Sequence, residues 1–313
     1  MTAEAGELQG VLEALWQLPG FEASRADDFT LERQGGLTNL VYKLDFGSQQ
    51  VVLRIPGKGT EDYIDRAVEL HNARVAAVAG VSAEVIYGNE ASGVMLTRFI
   101  PDIVTMSPVI FKEREGSPAR AARALKQMHD CGREFRFRFE LFAMIDDYLG
   151  ILDRQKAELP EGYHAVVEAA QPVREALDAK PLALAPCHCD PLCENFLDDG
   201  ERMWVVDWEY SGMNDPIWDL GDLSVEAGFD AAQDAEMMQA YCGGEPSAAL
   251  MGRMVIYKAM CDLLWTLWGL IQHANGNPAE DFWAYSVGRF ERCKKLMNDP
   301  AFAGHVEAVR KGD

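Results

Sequence analysis

The strongest constraint on the fold of this 313-residue chain is a change of local period at residues 99–102. Before it, apolar residues alternate in short runs; after it, they recur at helical spacing. A short helix is expected at 11–16, ended by Pro19-Gly20. Strand-like runs follow at 29–34, 39–46 and 50–55, with Gly35-Gly36 and Gly47-Ser48 as turns between them. Residues 63–78 predict a helix with Ile64, Val68, Val75 and Val78 on its apolar face, and 83–87 and 94–99 predict two more strands. Beyond Pro101, a helix is expected from Ser117-Pro118 to Asp130 with Ser117 as its N-cap. Further helices are expected at 141–152 and 162–177. Short strands are expected at 182–185, 195–198 and 203–206, and helix from Leu220 onward. The implied division is residues 1–100 and 101–313.

Charge removes several functions. Lys and Arg number 29 against 50 Asp and Glu, a net charge of −21. A sequence-independent nucleic-acid binder needs a basic surface to displace counterions, and anionic lipid repels an acidic protein. This also sets aside a nucleic-acid role for the run Phe135-Arg136-Phe137-Arg138-Phe139, read as a strand or amphipathic loop. The first ten residues lack the basic-then-apolar layout of a signal peptide. Seven cysteines in such a chain read as reduced thiols, so the expected compartment is cytoplasmic. No membrane insertion is expected, because the most apolar stretch, 251–271, is interrupted by Arg253, Lys258 and Asp262.

The chemistry concentrates in His188-Cys189-Asp190-Pro191-Leu192-Cys193-Glu194-Asn195, a loop between two short strands, and in Asp207 at the end of the next strand. Two acids and an amide in this arrangement suit metal-assisted phosphoryl transfer. One carboxylate, Asp190, accepts the proton of a substrate hydroxyl, while Asn195 and Asp207 hold Mg²⁺ against the phosphates of ATP. Cys187, Cys189, Cys193 and His188 lack a second matching cluster, which argues against zinc.

This spacing resembles the protein-kinase-like phosphotransferases that act on small molecules, the aminoglycoside phosphotransferases and the choline/ethanolamine kinases. The resemblance spans about Gly35 to Phe290 and implies an α+β fold with a small antiparallel-sheet N-lobe, a larger helical C-lobe and ATP between them. It identifies Gly35-Gly36-Leu37-Thr38-Asn39 with the phosphate loop, giving Gly36, Thr38 and Asn39 as nucleotide contacts. It also identifies Arg54, in "VVLRIPG", with the phosphate-pairing residue of the third strand. Its acidic partner is expected to be Glu69, with Glu61 and Asp65 as rivals. Leu96 and Arg98 fall in the segment that meets adenine through backbone groups. His188, His129 and Asp219 are expected to be structural, and Glu209 stands near the metal or one layer behind it.

The last third resembles the choline-kinase branch most closely. "VVDWEYSGMNDPIWDLGDLSVE" carries Trp208 and Glu226, "DLLWTLWGLIQ" carries Trp265 and Trp268, and "FWAYSVGRF" carries Tyr285. The resemblance makes these five the amine-binding set. A quaternary ammonium has no N–H to donate, so aromatic faces recognise it, with a carboxylate to offset its charge. A purely core role for the two tryptophans is the plain alternative. The implied activity is choline kinase, with ATP and Mg²⁺ and a small cationic amino-alcohol as partner. Ethanolamine kinase, aminoglycoside phosphotransferase and a non-catalytic pseudokinase are the alternatives, and the oligomeric state is left open.

Overall fold

A computed structural model describes residues 3–35, 39–57 and 64–312. The first part comprises α1 (Ala3–Leu15), β1 (Thr30–Gly35), β2 (Leu40–Asp45), β3 (Gln50–Ile55), α2 (Arg66–Val78), β4 (Val85–Gly88) and β5 (Met95–Arg98). The five strands form one antiparallel sheet in the order β1-β2-β3-β5-β4. Side chains alternate across it. Val51 and Leu53 pack into a core with Val11 and Leu15 of α1, and Arg54 takes the opposite face, toward the cleft. Helix α2 starts at Arg66 because Asp65 caps it, accepting the N–H groups of Ala67 and Val68 at 3.0 and 3.1 Å. That duty removes Asp65 as a rival partner for Arg54. Gly36, Thr38, Tyr63 and Glu61 lie outside the described residues.

The second part is larger and mostly helical. It comprises β6 (Val104–Thr105), α3 (Pro108–Glu113), α4 (Ser117–His129), α5 (Leu141–Gln155), α6 (Tyr163–Ala169), α7 (Gln171–Ala179) and β7 (Ala185–Cys187). It continues through β8 (Phe196–Asp198), β9 (Met203–Val205), β10 (Gly212–Asn214), α8 (Ile217–Ala227) and α9 (Ala231–Cys242). The last three helices are α10 (Ala248–Ala274), α11 (Phe282–Met297) and α12 (Phe302–Lys311). The result is a two-lobed, protein-kinase-like α+β fold.

Several expectations need correction. The helix at Ser117 is capped by Gly116, and the Ser117 hydroxyl instead donates to the Phe111 carbonyl at 3.0 Å. The single helix expected at 162–177 is two, because Pro172 has no N–H to continue the first one. The strand expected at 182–185 falls at Ala185–Cys187, where β10 pairs with it. Strands β6 and β10 and helix α3 were not anticipated; each is too short to show a period. Helix α10 is, contrary to expectation, long and apolar enough to cross a bilayer, but 83% of its most apolar window is buried in the protein core. No disulfide joins the cysteines among the described residues.

Helix α10 is the axle of the C-lobe, packing on α5, α8, α11 and α12. Near its outer end, Gly252 lets α12 approach so closely that a Cβ there would stand 2.9 Å from the His305 carbonyl oxygen. Near its inner end, a Cβ on Gly269 would lie 2.3 Å from the Ser286 hydroxyl and 2.7 Å from the Tyr285 ring. The missing side chain brings α11 against α10 and sets Tyr285 beside Trp268.

Candidate active site

The loop at 188–195 is held from below. Asp219 on α8 accepts the backbone N–H groups of His188 and Cys189 at 2.7 and 2.8 Å and contacts His129 Nε2 at 3.0 Å. The Trp218 indole donates to the Cys189 carbonyl at 3.0 Å. His188 Nε2 contacts the Val206 carbonyl at 2.8 Å, linking this loop to the Asp207 segment. Burial lowers the His188 pKa, which suits a neutral strut. Cys189 and Asp207 both have φ of 67°, the left-handed region that side chains enter at a cost, so backbone strain sits in this loop and at the Asp207 segment. His129, Cys187 and Asp219 also lie close together, but Asp219 is committed to this bracing.

Asp190, Asn195 and Asp207 converge on the cleft. The Asn195 amide nitrogen donates to the Asp190 carbonyl at 3.1 Å, which leaves Asn195 Oδ1 as an acceptor. The Asp190 carboxyl is held well above the usual carboxylate range by burial first, then by the charges of Glu226 and Asp207. Burial and the neighbouring Glu209 charge push Asp207 up to about 7, with Arg54 pulling the other way. Crowded carboxylates of this kind, with a hard oxygen donor set, fit a divalent cation such as Mg²⁺.

On the nucleotide side, Arg54 forms an ion pair with Glu69, so Glu69 is the acid that meets it. Arg54 also reaches Asp207 at 3.3 Å and Glu209 at 3.9 Å, bridging the lobes. Its Nε and Nη2 are buried without a hydrogen-bond partner among the described residues, a pair of donors suited to phosphate oxygens. Arg66, which the sequence did not single out, contacts Glu69 at 2.8 Å and Glu209 at 3.3 Å. The Asn39 side chain donates to Glu209 at 3.4 Å and accepts the Gly57 N–H at 3.3 Å, so it ties the start of β2 to the C-lobe.

Leu96 and Arg98 do not offer free backbone groups. Both sit in β5, inside the sheet; Leu96 pairs with Leu53 and Tyr87, and the Arg98 N–H donates to the Glu84 carbonyl at 2.9 Å. The Arg98 side chain bridges to Glu84 at 2.6 Å on the surface.

On the amine side, Trp265 and Trp268 lie one helical turn apart with ring centroids 6.4 Å apart and planes near perpendicular. Tyr285 stands 5.9 Å from Trp268. Trp208 does not join them. It is buried between His188 and Phe135, and its indole donates to Ser82 at 3.1 Å. Tyr210, two residues on, takes that place: its ring is 5.3 Å from Trp265, and its hydroxyl accepts the Trp268 indole N–H at 2.9 Å. Glu226 lies 2.6 Å from Arg289, whose guanidinium sits 4.6 Å over the Tyr285 ring. Asp222, one turn before Glu226, accepts the Cys261 thiol at 2.9 Å and the Trp265 indole at 3.3 Å, and burial raises its pKa well above the usual range. Sequence reasoning missed Tyr210, Asp222 and Arg289. The latter two stand four residues from Glu226 and Tyr285, a spacing that shares a helix face.

Comparison with known proteins agrees with this geometry. The profile of the phosphotransferase enzyme family (APH) matches residues 30–251. A choline/ethanolamine kinase family protein from Mesorhizobium loti, known from its crystal structure, is 59% identical and superposes with a TM-score of 0.88, over 97% of this chain and 99% of its own. The choline kinase LicA from Streptococcus pneumoniae is 28% identical, with a TM-score of 0.73 over 86% of this chain and 93% of its own. Protein LicA of Haemophilus influenzae is 27% identical over 85% of this chain and 79% of its own length. The chain belongs to the phosphotransferase enzyme family, in its choline/ethanolamine kinase branch.

Proposed function

We propose that the protein transfers the γ-phosphoryl group of ATP to the hydroxyl of choline, giving phosphocholine and ADP. The observation that carries this reading is the cluster of Trp265, Trp268, Tyr210 and Tyr285, of which Tyr285 lies within electrostatic reach of Asp190. Such a surface suits a cation that has no N–H to donate, at about 0.5–2 kcal/mol per ring. The likeness to the LicA choline kinase supports the same substrate. Ethanolamine is the second reading, because the branch includes kinases of both amines.

Asp190 orients the amino-alcohol hydroxyl and takes its proton as the oxygen attacks the γ-phosphorus, with ADP as leaving group. Arg54 supplies its two unpartnered donors to the phosphates, supported by Glu69. Asn195 Oδ1 and the Asp207 carboxylate would hold Mg²⁺, which when bound neutralises charge building on the phosphates. In this reading residues 1–100 grip the nucleotide and residues 101–313 supply the catalytic loop and the amine pocket. ATP as donor and seven cysteines without a disulfide among the described residues suit a cytoplasmic enzyme.

The test is ADP release with choline, ethanolamine or kanamycin as acceptor. Choline is expected to give the highest kcat/KM, and kanamycin none. Asp190→Ala is expected to abolish turnover with ATP binding retained; near-normal turnover in that variant would sink the mechanism.

A further inference from the structure

The carboxylates on the amine side are already engaged by the protein itself. Asp222 receives the Cys261 thiol and the Trp265 indole. Asp262, fully buried, is held by Arg292 at 2.6 Å and by Arg289 at 3.2 Å. Glu226 faces Arg289 at 2.6 Å and Arg292 at 3.8 Å. Arg289 thus sits at the crossing of three pocket components, since it also covers one face of Tyr285.

A buried carboxylate paired at this distance carries little net field. A primary ammonium draws much of its binding from charged acceptors, and needs several of them to replace its water. A trimethylammonium is weakly hydrated and draws on ring faces. Compensation of Glu226 therefore weakens the first kind of cation more than the second.

Resting on the functional reading above, we infer that Arg289 is a specificity-determining residue: by compensating Glu226 and stacking on Tyr285, it makes the pocket prefer a methylated ammonium over a primary one. It acts through those two side chains and is a positioning residue. Replacing it does not strand Asp262, which keeps Arg292.

The experiment compares kcat and KM for choline and ethanolamine in the wild type, Arg289→Met and Arg289→Lys. In Arg289→Met the choline-to-ethanolamine ratio of kcat/KM is expected to fall at least tenfold, through opposite changes in the two amine KM values and with the KM for ATP unmoved. Arg289→Lys, which keeps the charge beside Glu226, is expected to hold the ratio within threefold. A loss of activity common to both amines cancels in the ratio. If the Met variant does not fold, Arg289→Gln carries the same expectation. A folded neutral variant with an unchanged ratio, or a Lys variant that shifts as far as the neutral one, overturns the role of Arg289. A wild type active on neither amine overturns the functional reading, and this inference with it.

Discussion

The two sides of the cleft are built on different physics. The nucleotide side is a web of charges that crosses between lobes: Arg54 and Arg66 from the N-lobe meet Asp207 and Glu209 from the C-lobe, with Glu69 beneath. The amine side is aromatic and lies on helices α10 and α11 within one lobe, set by the close approach at Gly269. Charges that pair across a cleft can exchange partners when phosphate arrives. Rings held by helix packing stand ready before the substrate does. The contrast teaches that the first side should respond to charge and protons, and the second to shape.

The largest expected effect is on the nucleotide side. Arg54→Ala leaves Glu69, 1% exposed, with only Arg66 at 2.8 Å, so the cost falls below the about 3–5 kcal/mol of a fully stranded buried charge. Urea unfolding should register that loss, and the KM for ATP should rise at least a hundredfold. An Arg54→Ala enzyme with normal stability would dissolve the idea of a load-carrying charge web. A smaller effect is expected from Trp268→Leu, which keeps an apolar, though smaller, side chain and removes one ring and the partner of Tyr210. Choline KM should rise about tenfold, matching the ~1–2 kcal/mol of a desolvated cation–π contact, with the ATP KM within twofold. Equal changes in both constants would make Trp268 a core residue.

The smallest effect is a proton linkage. A metal ligand must be deprotonated, and the Asp207 carboxyl stands at about 7. Protons therefore compete with Mg²⁺ increasingly as pH falls through 7. The Mg²⁺ concentration for half-maximal activity should rise up to about tenfold from pH 8 to pH 6 by this competition. Choline KM, set by a fixed charge and aromatic faces, should follow far less. A pH-independent Mg²⁺ requirement would remove Asp207 from the metal's coordination.

Much of this was legible in the sequence, for local reasons. The strand-helix order of the first lobe follows from period and turns, and the spacing of Asp190, Asn195 and Asp207 singled out residues that lie near one another in the fold. The Arg54–Glu69 pair followed from family position, and the contact is there. What stayed hidden depends on tertiary contact. Trp208 and Tyr210 alternate along one short segment, and nothing local says which of them faces the interlobe core. Arg289 reads as one more cation on an amphipathic helix until α8 brings Glu226 to it. That Leu96 and Arg98 spend backbone groups on sheet pairing was also hidden, because the sheet order is not written in the strands themselves.

Helix α10 has a mechanical consequence. From Gly252 to Trp268 is 16 residues, or ~24 Å of stiff rod at 1.5 Å per residue. A tilt of ~5° about the α12 contact at Gly252 would swing Trp268 by ~2 Å over that length, enough to loosen a ring from a cation. The helix is a lever whose fulcrum lies far from the chemistry. A side chain added at Gly252 would press on the His305 carbonyl at the end of the rod remote from Trp268.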